Sequence, residues 1–193
     1  MRKLLFLTFT IVLALGIPVD SLHAQKSKKE IREILKSLKN EKEIDVSITF
    51  SQAIIHGKRE ADFVYLEDIG SREDWTTLWE NEYKPGLFHD LLGVFNTYMF
   101  DSGYRVKFGN FEQSKYQIKL IVNGIAEKGT VYMNALLKER GQEEPLYELT
   151  VAGGGGTFGS KINLMGDGFR RAGLDLAKQM ILIFKRGRVG MIY

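Results

Sequence analysis

Between Tyr104 and Val151, apolar side chains occupy every second position in four successive runs, and a period of two dictates strands with one buried face. The runs are Tyr104, Val106 and Phe108, then Tyr116, Ile118, Leu120 and Val122, then Val131, Met133, Ala135 and Leu137, and finally Tyr147, Leu149 and Val151. Short polar turns separate them, among them Glu127-Lys128-Gly129 and the stretch from Glu139 to Pro145. Alternating strands joined in this way predict an antiparallel β-meander with one wet face. An earlier run, Ile44, Val46, Ile48 and Phe50, alternates with Asp45, Ser47 and Thr49 and predicts a further strand. After the turn His56-Gly57-Lys58, residues Phe63 to Leu66 read as a second short extended piece.

Helical spacing surrounds this sheet. Ser27 to Glu30 forms a capping box, S-x-x-E, and Ile31, Ile34, Leu35 and Leu38 follow at helical period. Ser71 is expected to open another helix, with Glu73 and Asp74 in its first turn and Pro85-Gly86 separating it from the next. From Leu87 the positions Leu91, Leu92, Phe95 and Met99 predict a core helix that Ser102-Gly103 stops. A last helix is expected from Asp167, carrying Leu174, Leu176, Met180, Ile181 and Phe184. Gly173 and Ala177 lie four apart on it and share a face, which would bring its axis close to the sheet. The expected fold is α+β and two-layer, an antiparallel β-meander sheet of four to six strands with the helices of Leu87 to Phe100 and Asp167 to Arg186 packed on one face.

The first residues read as an export signal. Arg2 and Lys3 precede the apolar run Leu4 to Ile17, and Pro18 and the polar stretch Asp20 to Gln25 follow it, with a cut expected after Ala24. The run is about 14 residues, whereas crossing a bilayer takes roughly 20. Residues 1–24 are therefore expected to be a signal peptide and 25–193 a single α+β domain with no transmembrane helix, periplasmic or secreted. The sequence has no cysteine, which removes disulfides, thiolate metal sites, a cysteine nucleophile and a lipid attachment point together. The domain must then be held by its core alone. Net charge is +3, and removing Arg2, Lys3 and Asp20 leaves +2, which argues against a nucleic-acid partner. The cluster Lys185, Arg186 and Arg188 reads as favourable charge at a helix C-terminus.

Catalytic and metal motifs are weak. Gly154, Gly156 and Gly159 satisfy G-x-G-x-x-G, but they follow a meander instead of opening a helix within a βαβ unit, so no dinucleotide or other cofactor is expected. A close-packed or flexible connector explains those glycines, and a backbone-amide nest for an anion is the alternative. Beyond the signal only His56 and His89 are available, too few at the wrong spacing for a metal site, and no G-x-S-x-G occurs; no metal ligands and no catalytic residues are assigned. Trp75, Trp79 and Tyr83 recur every fourth residue and share one helix face. With Glu73, Asp74, Glu80 and Glu82 beside them they suit a carbohydrate platform, provided that the indoles line a solvent-open cleft; an aromatic stripe packed on the core explains the same spacing. Trp75, Trp79 and Tyr83, with Thr157 and Phe158 of the glycine loop, are the candidate ligand-binding residues.

The string from Gly154 to Gly173, GGGTFGSKINLMGDGFRRAG, resembles a signature of small secreted bacterial proteins of uncharacterised function, as do GKREADFVY from Gly57 and WENEYKPG from Trp79. This resemblance covers roughly Asp45 to Lys185 and implies no activity. More distantly, the order strand, helix, meander, terminal helix is similar to that of auxiliary outer-membrane lipoproteins, which serve as assembly or accessory parts, although the lipid-bearing cysteine is missing here. The expectation is a non-catalytic cell-envelope domain that binds a protein or envelope component. The alternatives are a hydrolase acting on glycans or peptidoglycan and a small apolar-ligand-binding protein.

Overall fold

The computed structural model describes residues 28–186. The expected signal segment, Ser27 of the capping box and Arg188 of the basic cluster lie outside them. The described residues open with helix α1 (Lys28–Asn40), which buries Leu35 and Leu38, and continue into strand β1 (Glu43–Thr49). A small hairpin follows, β2 (Ile54–Ile55) and β3 (Lys58–Arg59). Its two-residue turn places both His56 (φ 50°) and Gly57 (φ 77°) in the left-handed region, the twist that a tight hairpin requires.

Phe63 to Leu66 is not extended; it lies inside helix α2 (Glu60–Gly70). An apolar run of four does not distinguish strand from helix, and Glu60 and Asp62 in the first turn suit the positive end of a helix dipole. Ser71 ends that helix, and the next one begins later than expected, at α3 (Trp75–Leu78). Its cap is Asp74, whose carboxylate accepts the Thr77 N–H at 2.9 Å.

The expected break at Pro85-Gly86 does not occur either. The chain runs from α3 through a π-helical turn (Trp79–Tyr83) straight into α4 (Lys84–Asp101). Proline has no N–H, and its ring collides with the carbonyl four residues back in α geometry. Here the Lys84 N–H donates to the Trp79 carbonyl five residues back, so the widened turn absorbs the change of register just before Pro85. Along α4, Leu87, Leu91, Phe95 and Met99 then form one buried stripe.

Strands β4 (Lys107–Gly109), β5 (Tyr116–Ile125), β6 (Val131–Glu139) and β7 (Tyr147–Gly153) lead to helix α5 (Lys161–Arg186). That helix starts six residues before Asp167, because Ser160 caps it by accepting the Asn163 N–H at 3.2 Å. The protein is α+β, but its sheet is mixed and not a pure meander. β5, β6 and β7 pair antiparallel as the alternation implied, whereas β1 lies between β4 and β5 and is parallel to both. The order is β4-β1-β5-β6-β7, with β2 continuing beyond β1 along the same edge of β5. Inward side chains of all five long strands join those of α1, α4 and α5 in one core.

The mixed sheet depends on an unusual connection. β4 and β5 are parallel, yet residues 110–115 suffice to join them, where parallel neighbours ordinarily need a dozen or more residues. They are not neighbours; the loop steps over β1 on the face away from the helices. Asp45, on that face and 9% exposed, holds it there. The Phe111 N–H donates to Asp45 Oδ1 at 3.0 Å and Arg140 Nη2 to Oδ2 at 2.7 Å, while Ser114 Oγ donates to the Glu43 carbonyl at 2.8 Å.

Helix side chains close both edges of the sheet. Asn96 of α4 donates to the Phe108 carbonyl at 2.7 Å and accepts the Phe108 N–H at 2.8 Å, as a neighbouring strand would. On the other edge Asp175 accepts the Ala152 N–H and Gln179 donates to the Thr150 carbonyl. The close approach expected at Gly173 is made to α4 and not to the sheet: a Cβ at Gly173 would collide with the Leu91 carbonyl. Contact with the sheet comes one turn and a half earlier, where Gly168 packs on the backbone of Gly129 and Gly153 with no room for a side chain.

Two substitutions test these packing claims by urea denaturation. Asp45→Ala removes two charge-assisted bonds and is expected to cost about 2–3 kcal/mol. Gly168→Ala would stabilise an unobstructed helix by about 1 kcal/mol; here the methyl meets the Gly129 carbonyl, and a loss of about 2 kcal/mol or more is expected.

Candidate functional site

The two indoles turn inward. Trp79 is 1% exposed and Trp75 7%, and both meet Phe63 edge-on, with ring centroids 5.7 and 6.0 Å apart. Trp79 also packs on Phe50 at 5.8 Å, and Tyr83, half-buried, tilts over Trp75 at 5.1 Å. The condition for a carbohydrate platform, indoles lining an open cleft, is not met. The acids named with them also serve locally. Asp74 caps α3, and its bonds from the Thr77 N–H and hydroxyl hold its carboxyl below the usual range. Burial, and then the charges of Glu73 and Glu82, push the Tyr83 phenol up.

One acid from that group, Glu80, does reach a cavity, in company that the sequence did not suggest. The π-helical turn projects Glu80 and then Lys84 toward Glu60 at the start of α2. Lys84 Nζ lies 2.5 Å from Glu60 Oε1 and 2.6 Å from Glu80 Oε1, while Trp79 Nε1 donates to the same Glu60 oxygen at 2.8 Å. These groups border an open cleft of about 480 Å³ whose remaining wall includes Ile48, Phe50, Pro85 and Phe88. Burial would lower the Lys84 ammonium, but its bonds to Glu60 and Glu80 outweigh that and hold it above its ordinary value. Since both carboxylate oxygens touch one nitrogen, at 2.5 and 2.6 Å, they are at most about 5.1 Å apart. A retaining glycosidase pair needs about 5–5.5 Å between its carboxyl groups, and here the ammonium fills the place that a glycosidic oxygen would need. The arrangement does not supply a free acid and nucleophile.

The glycine loop has a fixed base and a free tip. The Gly155 N–H donates to Thr130 Oγ1 at 3.2 Å and the Gly156 N–H to the Leu164 carbonyl at 3.4 Å, so the two amides that an anion nest would use are already bonded. Arg171 Nη1 donates to the Gly154 carbonyl at 2.9 Å and also to that of Gly155. Gly155 lies on the Lys128 carbonyl without space for a Cβ. The close-packed connector accounts for this base. Thr157 and Phe158 sit beyond these bonds in solvent, with Phe158 89% exposed.

Helix α2 carries an exposed apolar surface that the sequence did not reveal. Lys161 Nζ, at the start of α5, bridges to Glu67 of α2 at 2.5 Å and joins those two helices. The outer side of α2 presents Tyr65 and Ile69, each 63% exposed, one turn apart, with Leu66 beside them. Reading this segment as a strand hid the pattern; the signal that could have shown it is the spacing Ala61, Tyr65, Ile69, which places three apolar residues on one helix face. Among the described residues no helix is long and apolar enough to cross a membrane, and no cluster of three or more His, Asp or Glu side chains is placed to hold a metal ion. Compared with known proteins, the chain matches no family model, no curated protein and no solved structure.

Replacing Lys84 with Met would leave two carboxylates facing each other across the cleft mouth. A loss of about 1–2 kcal/mol is expected in thermal or urea unfolding. The double variant Glu60→Gln with Lys84→Met should recover part of it, a coupling on the order of 1 kcal/mol in a double-mutant cycle.

Proposed function

We propose that this is an exported, non-catalytic cell-envelope domain that docks a protein or envelope component through exposed apolar side chains, those of Tyr65, Leu66 and Ile69 on α2 and that of Phe158, beside Thr157, on the loop before α5. The observation that carries the reading is the exposure of large apolar side chains, Tyr65 and Ile69 at 63% and Phe158 at 89%, while α2 buries Phe63 and Val64 on its inner side. Exposed large apolar side chains cost solubility, and where they cluster they mark a contact surface. Export is supported by the order of charged, apolar and polar residues at the start of the sequence. A second reading, binding of a small apolar ligand, is favoured by the cleft of about 480 Å³ walled by Ile48, Phe50 and Phe88, which lies within the size range of ligand pockets. Native mass spectrometry of the protein purified from its own host checks that reading directly: adduct-free spectra count against it.

The docking surface is tested with Ile69→Ser and Phe158→Ser together. Both positions are exposed, so stability should change by less than about 0.5 kcal/mol per site. Affinity capture from envelope extracts is expected to recover a defined partner with the native protein and to lose it with the variant. Equal recovery by both, or none by either, counts against the proposed surface.

A further inference from the structure

We propose that the cleft beside the π-helical turn takes an organic cation, an ammonium carried on an apolar body, with the charged end at Glu80 and the body against Phe50 and Phe88. The proposal rests on the small-ligand reading of that cleft and narrows it from apolar molecules in general to amines.

A surplus of one charge selects the ligand. Among the residues that line the cleft, Glu60 and Glu80 are the acids and Lys84 is the base, two negative groups against one positive. Glu60 is matched: its Oε1 takes both Lys84 Nζ at 2.5 Å and Trp79 Nε1 at 2.8 Å, and its side chain is 19% exposed. Glu80 is not. It shares the same ammonium at 2.6 Å, its side chain is 59% exposed, and its second oxygen has no hydrogen bond among the described residues. Glu80 Oε2 is therefore open to an ammonium N–H, in a charge-assisted bond about twice as strong as a neutral one.

The walls suit the rest of such a molecule. Ile48, Phe50, Pro85 and Phe88 face a space of about 480 Å³. The chain already places one alkylammonium there: Lys84 Nζ lies over the Phe50 ring, 5.6 Å from its centre. The face of an aromatic ring carries negative charge density and attracts a cation. The aromatic wall thus adds to the preference that Glu80 sets.

Other classes of ligand fit less well. A carboxylate or phosphate would add to the negative surplus, and Lys84, the one cation in the lining, is already bonded to two carboxylates. A neutral molecule of the same shape can fill the apolar part of the cleft, but it leaves the unmatched charge of Glu80 to water. The difference between an amine and its alcohol analogue therefore measures what Glu80 contributes.

Indole fluorescence can report binding, because Trp79 is bonded to Glu60 and packs edge-on against Phe50, both of which line the cleft. Phenethylammonium, phenethyl alcohol and phenylacetate, probes of similar shape, are titrated into the purified protein at neutral pH and low ionic strength, where a half-exposed carboxylate is least screened. The ammonium is expected to bind with saturation and roughly five- to tenfold more tightly than the alcohol, and phenylacetate more weakly than either. Glu80→Gln, which keeps an acceptor for Lys84, should bring the ammonium down to the level of the alcohol and leave the alcohol unchanged, whereas Phe88→Ala should weaken both alike. Binding of the alcohol or of phenylacetate as tight as that of the ammonium, an ammonium preference that survives Glu80→Gln, or an affinity unchanged in Phe88→Ala overturns the proposal, and the small-ligand reading stands. Absence of saturable binding by all three, in ligand-detected NMR as well as in fluorescence, overturns the proposal and that reading together.

Discussion

Asp45 decides which strands become neighbours. Strand β1 is flanked by two parallel strands that follow each other closely in sequence, and this is possible only if the six-residue connection crosses β1 instead of turning beside it. A crossing segment has backbone groups with no strand to pair with, and it covers a carboxylate that would otherwise face water. Both deficits are removed together when Asp45 accepts from the Phe111 N–H and from Arg140, whose Nε also donates to the Ser114 carbonyl at 2.9 Å. Arg140 comes from the end of β6, so the anchor forms only once the β5–β6 hairpin is in register. That places β5 at the centre, paired over its whole length on one side with β6 and on the other with β1 and β2 in succession.

With the sheet set, helix α5 is positioned by backbone contact more than by side-chain size. Gly129, Gly153 and Gly168 meet where the β6 and β7 ends face the first turns of the helix, and Gly173 meets the α4 backbone at Leu91. Four places with no tolerance for a methyl group give the helix little freedom to slide. The edges are finished by amide and carboxylate side chains that copy strand pairing, Asn96 at β4 and Asp175 with Gln179 at β7. A chain without disulfides thus gains rigidity from close main-chain packing around a continuous core.

The parts of this fold that were legible are those governed by a single local period. The stripe of α4 and the β5–β7 meander could be read because each apolar residue faces the same core as its periodic neighbours. The parallel placement of β1 was not legible, since Asp45 and Arg140 lie 95 residues apart and either looks like a solvated surface charge alone. Helix α2 was missed because Phe63, Val64, Tyr65 and Leu66 form an apolar run that fits either period, and its true faces split the run, Phe63 and Val64 inward, Tyr65 and Leu66 outward. Helix α5 was started late because Asp167 is a good N-cap residue, whereas Ser160 is the cap and Gly168, inside the helix, is the contact with the sheet end. At the candidate site, the aromatic spacing of Trp75 and Trp79 was real, but spacing does not tell which way a face points. Of the residues singled out, Phe158 and Thr157 are in solvent, and the indoles support the surface from beneath.

That support makes the two sides of the Lys161–Glu67 bridge unequal. Glu67 sits on a helix whose inner face is held by Phe63 against both indoles and His56, and whose first residue, Glu60, is bonded to Trp79 and Lys84. Lys161 sits where a glycine-rich segment becomes helix, and the residues just before it carry no side chain into the core. A change of charge at their junction therefore has a rigid wall on one side and a compliant segment on the other. The side chains of Tyr65 and Ile69 stand on the opposite side of α2 from this bridge, exposed on a helix that its inner contacts hold in place.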